Sequence, residues 1–197
     1  MWLIPTRQRP HRLTTLIGAC QKTRMSTPVV VLVDDDDPCL DSYLNLGWPV
    51  EIGQHGGLSE IYNRAFEHHP DEEWYGILCD DAVPKTEYFD LKLIKVAGKK
   101  GLAAPSGGHS EIASHFVIGG DLVRNMGWVA LPGLDRLYID TVWYKIALAT
   151  GVYHFVSEVV IEHHHFSNGK ALMDATYRKA NKGRDRDIYE NWLSNLT

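Results

Sequence analysis

Residues 29–38 read Val-Val-Val-Leu-Val-Asp-Asp-Asp-Asp-Pro. Five apolar residues, four of them β-branched, stand together, and four carboxylates follow them directly. A run that is apolar at every position predicts a strand buried on both faces, which is typical of a parallel strand inside an α/β sheet. The abrupt change at Asp34 places a polar cluster at the carboxyl end of this strand. The stretch therefore predicts a layered α/β fold with polar residues along one edge of its sheet.

Apolar runs and amphipathic segments on both sides of this strand extend the pattern. In the first hundred residues we predict further strands over 2–4, 50–52 and 75–79, and helices that begin near Pro10, Ser59 and Leu91. Farther along we predict helices over 121–126, 139–149 and 174–196, and strand-like runs over 153–156 and 159–161. Alternating strands and helices with short connections favour a right-handed, mainly parallel central sheet flanked by helices.

The composition is that of an ordinary globular domain. Of the 197 residues, 44% are hydrophobic and 23% are charged, a balance that excludes collagen-like, coiled-coil and disordered classes. No apolar stretch approaches the roughly 20 residues that a membrane-spanning helix requires. The three cysteines, Cys20, Cys39 and Cys79, are too few and too scattered for a disulfide scaffold or a paired-cysteine metal site. We therefore expect one domain over residues 1–197, without a membrane span, in the cytoplasm.

Charge is distributed unevenly along the chain. Residues 1–33 carry five Lys or Arg and no Asp or Glu, whereas residues 34–90 carry fifteen Asp or Glu against two Lys or Arg. An acidic segment beside a basic one suits a site that holds a metal cation and an anionic ligand together. The alternative is charge that only solubilises exposed helices.

Polar residues follow three of the predicted strands. In parallel sheets ligands bind beyond the carboxyl ends of the strands, and here those ends carry Thr6-Arg7, Asp34–Asp37 and Asp80-Asp81. No GxGxxG motif follows the first strand, and GxxxxGK[ST] is absent from the sequence. Dinucleotide-binding and P-loop sites therefore lack the phosphate loop that they require.

Two acidic and histidine-rich segments are candidate metal ligands. The adjacent carboxylates of Asp80 and Asp81 offer the oxygen donors that Mg²⁺ and Mn²⁺ prefer, although a turn or a helix cap would also explain them. Residues 162–165 read Glu-His-His-His. If the preceding strand continues, His163 and His165 face one side, where they could complete a coordination shell or contact a phosphate. A structural role for these imidazoles is the alternative.

Three further segments could bind a ligand or take part in chemistry. Thr6-Arg7-Gln8-Arg9 supplies guanidinium groups for a phosphate or a nucleobase edge, or is a solvated helix start. Among the four aspartates after the second strand, Asp34 and Asp36 are expected to point inward and to accept hydrogen bonds from ribose hydroxyls or a base N–H. Asp140, at a helix start, could be a general base whose pKa is raised by partial burial, or a plain helix cap.

Taken in order, these segments resemble the GT-A glycosyltransferases, and most of all the inverting, family-2 type. The resemblance spans about residues 2–170 and rests on the order and spacing of short motifs. The segments that carry it are 4–10 (IPTRQRP), 29–36 (VVVLVDDD), 57–65 (GLSEIYNRA), 77–84 (ILCDDAVP), 116–128, 137–140 (LYID) and 161–165 (IEHHH).

This resemblance implies a Rossmann-like, metal-dependent glycosyltransferase of the hexosyltransferase kind, which moves a sugar from a nucleotide diphosphate-sugar to an acceptor hydroxyl with inversion. It implies Mn²⁺ or Mg²⁺ as cofactor, held by Asp81, His163 and His165, and Asp140 as the catalytic base. The donor-binding residues that it implies are Pro5, Thr6, Arg7, Arg9, Asp34, Asp36, Asn63, Asp80 and Lys170. The sequence departs from the family's Asp-x-Asp pattern, because Cys79 stands where the first aspartate is expected.

The same resemblance divides the chain into a nucleotide-sugar-binding half (1–100), an acceptor and catalytic half (101–173) and a helical tail (174–197). Because the chain is short for this fold, we expect a large acceptor that brings its own surface: a glycan, a protein or modified DNA. Two other functions are compatible with the residues. One is a nucleotidyltransferase. The other is a non-catalytic glycan- or nucleic-acid-binding module that uses the basic residues of the tail, Arg178, Lys179, Lys182, Arg184 and Arg186.

Overall fold

The predicted central strand lies in an eight-stranded sheet in the computed structural model, which describes residues 1–107, 112–166, 169–173 and 182–195. The strands are β1 (Trp2–Pro5), β2 (Val29–Asp34), β3 (Val50–Gly53), β4 (Trp74–Ile77), β5 (Ala82–Pro84), β6 (Leu102–Ser106), β7 (Phe116–Gly119) and β8 (Tyr153–His163). The helices are α1 (Pro10–Lys22), α2 (Leu40–Leu44), α3 (Leu58–His68), α4 (Phe89–Ala97), α5 (Gly120–Met126), α6 (Ile139–Ala149) and α7 (Lys182–Ser194). No helix in these described ranges is long and apolar enough to cross a membrane.

The strand order is β3-β2-β1-β4-β7-β6-β8-β5. The first four strands run parallel, β7 is antiparallel to both of its neighbours, and β8 runs parallel to β6. Parallel pairing aligns the carboxyl ends of β1, β2 and β4 at one edge of the sheet. The predicted α/β class with a mainly parallel central sheet is confirmed.

Two apolar cores lie on opposite faces of the sheet. One contains buried residues of α3, α5 and α6, together with the partly buried Ile188, Tyr189 and Trp192 of α7. The other contains buried residues of α1 and α4 against Trp2 and Val31. Side chains alternate across a strand, so β1 sends Trp2 to one core and Leu3 to the other. The sheet is covered by helices on both faces.

The structure differs from the sequence prediction at strands that form only by pairing with distant parts of the chain. The runs 153–156 and 159–161 belong to one strand, β8, with a register irregularity opposite Pro105 and Ser106. Strand β5 was not predicted, because its three residues become a strand by pairing with the distant β8. The short helix α2 was also missed. In the tail, α7 is helical as predicted, while positions 174–181 lie outside the described residues.

Gly76 of β4 allows the buried Trp2 to lie directly against the strand. A Cβ atom at this position would collide with the Trp2 indole ring, which also contacts Trp74 and Phe89. We expect Gly76→Ala to lower the free energy of unfolding by about 1–3 kcal/mol, as overpacked cores do. Urea unfolding would measure the change. Gly18→Ala is the matched control, because nothing lies within 4 Å of the added methyl in α1. Equal stability of the two variants would contradict the prediction.

Candidate active site at the strand ends

A cavity of about 370 Å³ opens at the carboxyl edge of the sheet. Its lining comes from the ends of β1, β2 and β4, from residues 135–140 and from the end of β8. The predicted site residues among its lining are Pro5, Thr6, Arg7, Arg9, Asp34, Asp80, Asp81, Asp140, His163 and His165. The fold therefore brings ten of the predicted residues to one cavity.

Arg7 and Asp34 form a charged pair on the cavity wall. The Arg7 guanidinium donates a hydrogen bond of 2.8 Å to Asp34 Oδ2 and another of 2.6 Å to Asp36 Oδ1. Asp34 is 3% exposed, and burial raises its pKa despite the neighbouring guanidinium. Its second oxygen, Oδ1, is buried and accepts no hydrogen bond from the described residues. The wall therefore presents a buried acceptor that a ligand donor could satisfy.

The expectation that Asp34 and Asp36 both point inward needs correction. Asp36 is 52% exposed and lies outside the cavity lining; its contacts with Arg7 and His55 lower its pKa to about 2. Within the run 34–37, the second buried aspartate is Asp37. Its carboxylate accepts the backbone N–H groups of Gln8 and Cys39. These bonds belong to the turn after β2, and the sequence alone does not reveal that turn's geometry.

Asp80 links the ends of β1 and β4. Its Oδ2 accepts a 2.8 Å hydrogen bond from the Thr6 hydroxyl, and its Oδ1 lies 3.3 Å from Arg9 Nη1. All three residues are buried. Burial, together with the adjacent charge of Asp81, raises the pKa of Asp80 to about 6. Both carboxylate oxygens of Asp80 are therefore engaged in fixing the loop after β1.

Asp81 and His163 lie close together in the lining of the cavity. Asp81 Oδ1 lies 3.1 Å from His163 Nε2, and the backbone N–H of His164 donates to the Asp81 carbonyl at 2.8 Å. Pairing of β5 with β8 fixes this contact, because Ala82 is directly opposite His163. The His165 ring lies 5.1 Å from that of His163, while His164 turns to Glu162. The structure thus places His163 and His165 together and His164 apart.

Asp140 lines the cavity from the first turn of α6. Its Oδ1 accepts the Thr141 backbone N–H at 2.7 Å and the Thr141 hydroxyl at 3.3 Å. Tyr138 occupies the cap position of this helix, so the plain-cap alternative for Asp140 does not hold. Burial raises the pKa of Asp140. A cavity-lining carboxylate with a raised pKa has the properties of a general base.

Besides Asp36, two other predicted donor-binding residues, Asn63 and Lys170, lie outside this cavity. The Asn63 side chain accepts the backbone N–H groups of Val129 and Ala130 and donates to the Ala130 carbonyl, so it ties α3 to that loop. Lys170 lies 3.2 Å from Glu162 and lines a smaller cavity, of about 210 Å³, that borders Asp80 and Asp81. The geometry gives Asn63 a structural role and does not place Lys170 at the main cavity.

Two further residues at the site were not predicted. His115 is 2% exposed, accepts the Cys79 backbone N–H at 3.5 Å and contacts the His163 ring. Burial lowers its pKa to about 3, and its Nε2 has no hydrogen-bond partner among the described residues. Arg136 lines the cavity, where its charge acts on Cys79. Neither residue belongs to a motif, and the sequence carries no signal that would single them out.

The donor set around Asp81 fits a divalent cation that is completed by substrate oxygens. Proteins commonly hold Mg²⁺ through one or two carboxylates together with substrate phosphates and water, and Asp81 with His163 offers such a partial set. Cys79 does not extend it, because burial and the nearby aspartates raise its thiol pKa well above the ordinary value. Among the described residues, Asp34, Asp36 and His55 are three possible metal ligands that lie close together. The two carboxylates of this group already bind Arg7.

Several solved glycosyltransferase structures are similar to this fold. Glucosyl-3-phosphoglycerate synthase from Mycobacterium tuberculosis, in complex with Mn²⁺, uridine diphosphate and phosphoglyceric acid, aligns over 98% of this chain and 76% of its own, with a TM-score of 0.68 and 11% identity. The mannosyltransferase PcManGT from Pyrobaculum calidifontis, with GDP-Man and Mn²⁺, aligns over 82% of this chain and 55% of its own, with a TM-score of 0.67 and 13% identity.

TarS from S. aureus aligns over 81% of this chain and 35% of its own, with a TM-score of 0.60 and 13% identity. The sequence matches no protein-family model and no curated protein. At these identities the likeness concerns the fold alone. The chain has the GT-A glycosyltransferase fold.

Proposed function

We propose that this protein is a metal-dependent glycosyltransferase that moves a sugar from a nucleotide diphosphate-sugar to an acceptor hydroxyl, with inversion at the anomeric carbon. The observation that carries the proposal is one cavity lined by a buried unsatisfied acceptor, a carboxylate–imidazole pair and a buried base: Asp34, Asp81 with His163, and Asp140. The fold likeness to enzymes solved with uridine diphosphate or GDP-Man supports it.

The nucleoside would bind beside Arg7 and Asp34. An unsatisfied buried acceptor costs about 1–3 kcal/mol, so a ribose hydroxyl or a base N–H that reaches Asp34 Oδ1 recovers part of that cost. Pro5 and Thr6 form the adjacent wall. Arg9 adds positive charge and lies against Asp80, which keeps the loop after β1 in place.

Asp81 and His163 would hold Mn²⁺ or Mg²⁺, with His165 beside them. When bound, such a cation acts as a Lewis acid that neutralises the diphosphate leaving group. The protein's own contribution is the fixed geometry, since the β5–β8 pairing aligns the Asp81 carboxylate with the His163 ring. The buried His115 ring packs edge-on against the His163 ring, with the two centroids 5.1 Å apart.

Asp140 would accept the proton of the acceptor hydroxyl as that oxygen attacks the anomeric carbon. Attack from the side opposite the leaving diphosphate inverts the configuration. Thr141 donates two hydrogen bonds to one carboxylate oxygen, and this fixes the orientation of the other. Proton removal by a positioned base contributes about 10²–10⁴ in rate. A polymeric acceptor, a glycan, a protein or modified DNA, stays a prediction from the sequence.

The two alternative functions have less support. A solved thymidylyltransferase-type structure from Bacillus anthracis aligns with a TM-score of 0.54, but the loop after β1, Thr6-Arg7-Gln8-Arg9, lacks the glycines and lysine that nucleotidyl transfer would need. For a nucleic-acid-binding tail, α7 contributes Arg184 and Arg186, but the same helix packs its Ile188 on the core. Neither alternative accounts for Asp140 in the cavity.

Nucleotide binding is the first test of the proposal. We expect uridine diphosphate or guanosine diphosphate with Mn²⁺ to raise the Tm by roughly 5–10 °C at a concentration about 100 times the Kd. Asp34→Asn is expected to reduce the shift, because it weakens the acceptor beside Arg7. Asp121→Asn is the control, since Asp121 lies away from the cavity and pairs with Arg124. Thermal unfolding monitored by fluorescence would measure the Tm of each protein with and without nucleotide. If neither nucleotide shifts the Tm, the proposal is wrong.

A further inference from the structure

Asp185 of α7 is a fully buried carboxylate that binds three consecutive backbone amides. Its Oδ1 accepts the N–H of Asp135 at 2.7 Å, and its Oδ2 accepts those of Arg136 and Leu137 at 2.9 and 2.8 Å. Hydrogen bonds from N–H donors to a charged carboxylate are stronger than bonds to a neutral acceptor. The helix therefore holds the backbone of a loop about fifty residues earlier in the chain.

The same loop is held from its other side by α3. The Asp135 carbonyl accepts the N–H of Leu58 at 2.7 Å, and the Leu134 carbonyl accepts the Ser59 hydroxyl at 2.6 Å. The approach is close, because a Cβ atom at Gly57 would lie 3.1 Å from the Asp135 Cα. The loop is thus fixed between two helices, at its peptide groups.

An aromatic contact continues the attachment toward Asp140. The rings of Tyr138 and Tyr189 stack with their centroids 4.8 Å apart and their planes 13° apart. Tyr138 has a φ of +69°, a left-handed conformation that is unfavourable for residues other than glycine and needs its surroundings to hold it. Asp140 follows two residues later. The backbone that Asp185 binds therefore leads directly into the first turn of α6.

We propose that Asp185 is a positioning residue, which holds the loop 135–137 so that Arg136 and Asp140 face the cavity. The inference rests on the proposed function, because it assigns the C-terminal helix to the scaffold of that reaction. On this proposal α7, none of whose described residues lines the cavity, holds the loop that does. The predicted helical tail then acts as part of the scaffold of the site.

Asp185→Asn tests the proposal, because it keeps the shape of the side chain but replaces one charged acceptor oxygen with an amide N–H₂ group. Asp90→Asn is a matched control. Asp90 is also fully buried and accepts two backbone N–H groups, from Ser26 and Thr27, but it lies on α4 and does not line the cavity. All of these bonds of Asp90 go to Oδ2, so the amide oxygen of Asp90→Asn can keep them, and this variant should lose less stability than Asp185→Asn, which uses both oxygens.

Three measurements separate positioning from stability. Hydrogen exchange of the amides at 135–137 should accelerate about tenfold or more in Asp185→Asn and stay unchanged in Asp90→Asn. The kcat for sugar transfer should fall about tenfold or more in Asp185→Asn only. The Kd for uridine diphosphate with Mn²⁺ should remain within about twofold in both, since Arg7 and Asp34 lie on other elements.

Three results would overturn the proposal. The first is unchanged exchange at 135–137 in Asp185→Asn, the second is a loss of kcat in both variants that follows their loss of Tm, and the third is full activity of Asp185→Asn. A wild-type protein that binds neither uridine nor guanosine diphosphate and transfers no sugar is a different outcome, because it removes the proposed function and this inference together. An active wild type with a fully active Asp185→Asn removes this inference alone.

Discussion

Asp81→Asn is expected to reduce sugar transfer about a thousandfold or more. The amide keeps the size of the side chain but removes the negative charge that lies 3.1 Å from His163 Nε2. Asp81 and His163 would together hold the cation against the diphosphate, and the variant lacks the only negative charge of this pair. Release of nucleotide from a nucleotide-sugar, measured over a range of Mn²⁺ concentrations, would show both the loss and a higher Mn²⁺ requirement.

The control for Asp81→Asn is Asp121→Asn, which removes a charge of the same kind from the surface. It should keep wild-type turnover and the wild-type Mn²⁺ requirement. If Asp81→Asn retained full turnover at low Mn²⁺, neither the metal-binding role of Asp81 nor its pairing with His163 could be part of the mechanism.

Asp140→Asn is expected to lower kcat by about 10²–10⁴, with little change in the affinity for uridine diphosphate. The reason is that an amide cannot accept the proton of the attacking hydroxyl, whereas nucleotide affinity depends on Arg7 and Asp34. Burial raises the pKa of Asp140, so the wild-type rate should fall as the pH drops through a value above that of an ordinary aspartate. The rate left in the variant should lack this acidic limb.

Steady-state kinetics across pH, with donor and acceptor varied separately, would measure this effect. Asp90→Asn again serves as the control for a buried carboxylate away from the cavity, and its pH profile should match the wild type. A wild-type acidic limb that persisted in Asp140→Asn would assign the base to another residue.

Much of the fold could be predicted from local patterns. The apolar run of β2, the helical spacing of α1 and α6 and the alternation of strands with helices are set by neighbouring residues. The strand β5 and the continuity of β8 could not be predicted in this way, because each depends on a partner far away in sequence. Local periodicity contains no information about such partners.

The candidate site likewise has features that local sequence predicts and features that depend on distant contacts. The rule that ligands bind beyond parallel strand ends grouped Arg7, Asp34 and Asp81 correctly at one cavity. It could not say which neighbour in a run of aspartates is buried, because turn hydrogen bonds decide between Asp36 and Asp37. Contacts made across the fold, such as those of His115 and Asp185, leave no trace in the local sequence.

The pairing of β5 with β8 bears on any attempt to divide the molecule. A cut near residue 100 would leave β4 and β5 in one fragment and their partners β7 and β8 in the other. Each piece would expose an unpaired sheet edge, and Asp81 would be parted from His163. The first fragment would keep Arg7 and Asp34, while Asp140 and His163 would lie in the second. Sugar transfer should therefore return only on reassembly, which makes this position a rational choice for a split, self-complementing version of the protein.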